Sequence, residues 1–183
     1  MIRRRALAFL AVLAALAVGA SPARAQDNYT FTVAGFGGIG GPYNVSPSPG
    51  LTNRSLMLEA SMITQERTLV VLRAARMKFD GDNGLREFRE ADLDFVTIAG
   101  EYRQRQSYYD FGVYLGLGDY RLKGTLPSGT RRDDTALGIA LGLTGDFDVS
   151  RHFSLVAELS GHYTWLDALD IFAVAHAGVA FHF

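Results

Sequence analysis

The sequence predicts an all-β chain, eight antiparallel strands closed up-and-down into a transmembrane barrel. Three observations point there. Period-two alternation of apolar residues recurs in eight segments, the connections alternate between long and short, and the face opposite the large apolar residues carries glycine and charge. A leader comes first: Arg3, Arg4 and Arg5, the apolar run ALAFLAVLAALAVGA, and Ala23-Arg24-Ala25 read as a signal peptide over residues 1–25, cleaved after Ala25. Its fifteen apolar residues fall short of the ~20 that a spanning helix needs. Residues 26–183 form the barrel domain. The leader takes four arginines and no acid, so a whole-chain balance of 18 basic and 19 acidic residues becomes 14 against 19. That excludes a basic nucleic-acid binder. With 0 cysteines, the exported domain holds together without disulfides.

The strands follow in order. NYTFTVAGFGG sets Tyr29, Phe31 and Val33 against Thr30, Thr32 and Ala34, and SLMLEASMI sets Leu56, Leu58 and Ala60 against Met57, Glu59 and Ser61. TLVVLRAARMKF and DLDFVTIAGEYR are apolar on both faces over part of their length. Placing Val70, Leu72 and Ala74 outward in one, and Val96, Ile98, Gly100 and Tyr102 outward in the other, turns Arg73 and Glu101 inward. The choice is energetic, because an arginine at the lipid midplane costs about 2 to 4 kcal/mol. YYDFGVYLGLGDY puts Tyr109, Phe111, Val113, Leu115 and Leu117 on one face and Asp110, Gly112, Tyr114, Gly116 and Gly118 on the other. TALGIALGLTGDFDV repeats the scheme with Leu137, Ile139, Leu141, Leu143 and Phe147 opposite Gly138, Ala140, Gly142, Thr144 and Asp146. In FSLVAELSGHY, Phe153, Leu155 and Leu159 oppose Ser154, Glu158 and His162. IFAVAHAGVAFHF keeps Ala177, Val179, Phe181 and Phe183 on one face with His176, Gly178 and His182 on the other.

Long connections fall at roughly 40–53, 80–91, 121–134 and 165–170, and short ones near Gln65–Arg67, Gln104–Ser107 and Asp148–His152. A sandwich has no reason to segregate loop lengths by end. Glycine packs nothing on an exposed strand surface, yet it suits the inside of a barrel whose eight strands leave room only for side chains. The aromatics divide into two rims, Tyr29, Phe31, Tyr102, Tyr109, Phe111, Phe147, Phe153, Phe181 and Phe183 on one, and Phe79, Tyr120, Tyr163 and Trp165 on the other. Membrane interfaces favour such belts.

With these features the chain resembles the small outer-membrane β-barrel superfamily of Gram-negative bacteria, the group that contains OmpX and the OmpA transmembrane domain. The resemblance implies an integral outer-membrane protein in contact with lipid and lipopolysaccharide. It also implies an assembly signal in the last strand, carried by Phe183 with Phe181, Val179 and Ala177 and read by the barrel-assembly machinery. The expected role is structural, adhesive or surface-interacting, exerted through the long loops on an external partner. Arg121, Lys123, Arg131 and Arg132 in the third loop are candidate contacts for lipopolysaccharide phosphate.

Glu59, Arg73, Glu101, Arg103, Asp110, Glu158, His162 and His176 share the proposed lumen and are expected to pair there as a polar network. A proton path or narrow pore is the alternative use of those groups, although open aqueous channels belong to barrels of about sixteen strands. A lipid A-modifying enzyme is a second alternative, because Ser160, His162 and Glu158 offer a nucleophile, a base and an orienting carboxylate. They point inward, away from lipid, and their Ser-x-His order reverses the His-x-Ser of the lipid A deacylases, so no catalytic role is expected. A soluble exported lipocalin-like binding module would need an apolar cavity where this lumen reads as glycine and charge. No cofactor is expected, and no metal, since His162 and His182 fall near opposite ends of the barrel.

Overall fold

The computed structural model describes residues 30–43, 53–65, 67–80, 85, 87–105, 109–150 and 152–183. The leader, its cleavage site and Tyr29 lie outside them. Eight strands follow in sequence: β1 (Phe31–Pro42), β2 (Asn53–Gln65), β3 (Thr68–Asp80), β4 (Glu90–Arg105), β5 (Tyr109–Thr125), β6 (Arg131–Asp148), β7 (Phe153–Thr164) and β8 (Ile171–His182). Each pairs antiparallel with its neighbour, and β1 pairs with β8, so the sheet is a closed barrel without edges. The closing register sets Val33 against Phe181 and Phe36 against Gly178.

Alternation along each strand decides which side chains face out. Leu115, Leu141 and Leu159, on β5, β6 and β7, are 63%, 62% and 52% exposed, so the leucines do not meet in a core. Leu56, Leu58, Leu137, Val179 and Phe153 extend that apolar coat around the barrel. A continuous apolar exterior of this size is unstable in water and at home in lipid. The two ambiguous strands face as the charge argument predicts, with Arg73 and Glu101 buried inside.

Two expectations are corrected. Phe79 and Tyr120 are fully buried in the lumen and take no part in an outer rim. Each shares its parity with an inward neighbour, Phe79 with Met77 and Tyr120 with Gly118, so the exposed aromatic pair at the long-loop end is Tyr163 against Trp165, with ring centroids 5.7 Å apart. At the other end Phe31, Phe153, Phe181 and Phe183 form a chain of ring contacts across β1, β7 and β8. The third connection is also shorter than its polarity suggests. β5 and β6 stay paired out to Thr125 opposite Arg131, with Lys123 opposite Asp133, so only residues 126–130 turn. Gly129, at φ 85°, makes that turn. Strands that run past the lipid band carry charge on both faces, and in the sequence such residues look like loop.

Candidate functional site

The strands build two layers inside the barrel. Nearer the short turns lies an ionic layer centred on Arg73 of β3, a side chain 2% exposed. Its Nε lies 2.9 Å from Glu59 Oε2 of β2 and 2.9 Å from Glu158 Oε2 of β7, close charge contacts without hydrogen-bond alignment. Its Nη2 donates to Glu101 Oε2 of β4 at 3.2 Å, and its guanidinium carbon lies 3.9 Å from the Tyr114 ring centroid of β5. Tyr114 donates its hydroxyl to Glu158 Oε1 at 2.9 Å. Arg103 donates to Glu101 Oε1 at 2.8 Å and 3.0 Å and to Asp146 Oδ2 of β6 at 3.1 Å, and Thr144 also donates to Glu101 Oε1 at 3.0 Å. His176 of β8 stands with Nδ1 3.9 Å from Glu158 and with Nε2 2.9 Å from Ser55 Oγ. Every strand from β2 to β8 therefore contributes a side chain to one cross-brace.

The inward glycines make this layer possible. A Cβ on Gly142 would lie 2.5 Å from the Tyr114 ring, and one on Gly112 would lie 2.6 Å from Glu101 Oε1. Any side chain at either position displaces part of the network.

Nearer the long loops the lumen is apolar. Met57, Met77, Phe79, Leu93, Phe95, Leu122, Phe172 and Val174 pack together, and Leu85, Phe88, Leu166 and Leu169 from the long connections close over them. This corrects the expectation of glycine and charge throughout the lumen. The overlooked signal is the double-sided apolar character of β3 and β4, whose inward residues Met77, Leu93 and Phe95 belong to this core.

His162 belongs with the apolar layer rather than with Arg73. Its ring stacks on Phe172 at 4.4 Å with an interplanar angle of 2°, Nδ1 is 2.9 Å from the Tyr120 hydroxyl, and Nε2 is 3.1 Å from Ser160 Oγ. Ser160 and His162 thus touch, but both are buried among these aromatic side chains, facing away from the lipid-side surface. Asp110 sits on β5 opposite Asp146, toward the short-turn mouth. Asp146 itself is an Arg103 partner that the sequence reading left out, although its place on the glycine face beside Thr144 and Gly142 carried the signal.

Arg121 and Lys123 stand on β5 and Arg131 and Arg132 on β6, and Arg121, Lys123 and Arg132 meet acids. Arg121 is paired with Asp133, Lys123 Nζ lies 2.9 Å from Asp94, and Arg132 reaches Glu87 at 3.4 Å and Asp167 at 2.8 Å. Just below them an open groove of about 1010 Å³ runs down the outer surface between Gly35, Gly37, Leu56, Leu58, Ala74 and Val96, rimmed by Arg76, Asp94, Arg121 and Lys123. Ala177, Val179 and Phe183 lie exposed on the outer face of β8, with Phe181 half-buried beside them.

No protein-family profile and no curated protein matches the chain. Solved structures do match. Neisserial surface protein A (NspA) is 15% identical with a TM-score of 0.68, covering 84% of this chain and 97% of that one. A major outer membrane protein of Thermus thermophilus is 13% identical with a TM-score of 0.62, covering 85% and 100%. Ail, the attachment invasion locus protein of Yersinia pestis, in complex with the heparin analogue sucrose octasulfate, is 16% identical with a TM-score of 0.52, covering 84% and 97%. With its closed ring of eight antiparallel strands and its apolar exterior, the chain has the fold of the small eight-stranded outer-membrane β-barrels.

Proposed function

We propose that this protein is a non-catalytic scaffold of the bacterial outer membrane, a plugged barrel that displays the four connections of one end for adhesion or another surface interaction. The observation that carries this reading is the pairing of an apolar exterior with a filled interior. Leu115, Leu141 and Leu159 face outward, while Arg73 and Glu101 fill one layer of the lumen and Tyr120 and Phe172 the other. A barrel packed in this way offers rigidity and a loop platform rather than a diffusive path. Among proteins of this fold, one is described as an attachment invasion locus protein and is seen with a sulfated sugar.

The same reading gives the rim a lipid partner. The groove on β1–β5 suits an acyl chain, and Arg121, Lys123, Arg131 and Arg132 supply cations for the phosphates of lipopolysaccharide. Because carboxylates already hold most of these cations, phosphate binds by exchange with Asp94, Asp133, Glu87 and Asp167. Phe183, Phe181, Val179 and Ala177 serve as the assembly signal on the strand that closes the barrel, after the leader has been removed behind Ala25.

Three measurements test the proposal. On an unheated SDS gel the folded protein migrates apart from the boiled one, and protease added to intact cells cuts only within the long connections. In a planar bilayer the protein shows no steady conductance. Identical migration with and without boiling, or a stable open channel, overturns it.

A further inference from the structure

At the short-turn mouth the inner faces of β6 and β8 bring Asp146, Asp148 and His182 together, with one ligand atom from each within 4.8 Å of the others. Asp146 and Asp148 are two residues apart on one strand and so share its inner face. His182 stands between two hydroxyls, its Nδ1 2.8 Å from Thr32 Oγ1 and its Nε2 2.6 Å from Ser154 Oγ. We propose that these three side chains form a binding site for one Zn²⁺ ion.

A second observation points to a ligand. Asp146 has a side chain only 8% exposed and gives Oδ2 to Arg103, yet its Oδ1 is buried without a hydrogen-bond partner. An orphaned carboxylate oxygen is costly, and a bound ion or ordered water is the usual explanation of such an atom. Charge favours an ion over water. Two carboxylates meet one guanidinium here, and Arg103 divides that guanidinium between Asp146 and Glu101.

The donor set selects the metal. One imidazole nitrogen with two carboxylates suits Zn²⁺, whereas Ca²⁺ and Mg²⁺ take oxygen ligands alone. Three protein ligands leave a fourth position for water at the open mouth. Ligands about 2.0 to 2.2 Å from a tetrahedral Zn²⁺ lie closer together than 4.8 Å, so the carboxylates rotate inward when the ion enters. In a neutral imidazole one nitrogen accepts a hydrogen bond and the other donates one. The accepting nitrogen exchanges its hydroxyl for the ion, and the donating one keeps its hydroxyl. That retained hydrogen bond orients the ring as outer partners of metal-bound histidines do.

The test is Zn²⁺ titration of the untagged full chain folded in detergent, followed by calorimetry in excess Mg²⁺. One Zn²⁺ per chain is expected, with His182→Gln and Asp148→Asn each weakening binding on the order of tenfold or more and leaving the unheated gel migration unchanged. Asp148 is exposed, so its variant carries the test if His182→Gln does not fold. Absence of Zn²⁺ binding by the native chain overturns the proposal. So does binding of undiminished strength in Asp148→Asn, which assigns the ion to surface acids only.

Discussion

Toward the long loops the lumen is filled by Met77, Leu93, Leu122 and Phe172, side chains that touch without preferred direction. Toward the short turns it is filled by Arg73, Glu59, Glu101 and Glu158, whose charges meet in one arrangement. Both layers are buried, but they fail differently. An apolar layer loses stability in proportion to the volume removed. In an ionic layer, removal of one partner strands the others, although replacing the whole set by apolar groups is often neutral. The contrast follows from position: the apolar layer sits beneath its own loop lid of Leu85, Phe88, Leu166 and Leu169, while the ionic layer ties seven strands to one another across the barrel.

The largest effect expected is from Arg73→Met, which leaves Glu59, Glu101 and Glu158 buried without their shared cation. Urea unfolding in detergent micelles should show a loss of about 3 to 5 kcal/mol. A further Glu158→Gln change should recover part of that loss, and additive losses in the double variant would mean that the layer is not one network. Leu93→Ala in the apolar layer should cost about 2 to 5 kcal/mol, with no recovery from a neighbouring truncation. If it couples to its neighbours as strongly as Arg73 does, the contrast between the layers fails.

Outside the barrel, Leu141→Arg should cost about 2 to 4 kcal/mol through lipid contact alone, and the cost should fall when the same change is made at Leu137, nearer the long-loop end. Equal costs at the two positions would mean that no depth-dependent lipid band surrounds β6. Smallest of all, Asp133→Asn at the exposed Arg121 pair should change stability by about 0 to 1 kcal/mol, and 1 M salt should erase the difference.

Strand number, facing and closure were legible because lipid on one side and a narrow lumen on the other force a strict two-residue period. The cost of charge in lipid by itself puts Arg73 and Glu101 inside. Phe79 and Tyr120 were misplaced because an aromatic ring suits either an interface or a packed lumen, and only strand parity separates the two. His162 was grouped with the wrong layer because its depth along the barrel depends on the stagger between β7 and its neighbours. The extent of β5 and β6 was underestimated because charged residues on strands beyond the membrane have the composition of a loop.

Local alternation, read from one strand at a time, determined that this chain forms a barrel and which residues face lipid. Which inward residues share a layer was decided by tertiary structure. Arg73 meets Glu158 across 85 positions of chain, and Asp146 meets His182 across β7. Such meetings depend on barrel shear and inter-strand register, which arise only when all eight strands close on one another.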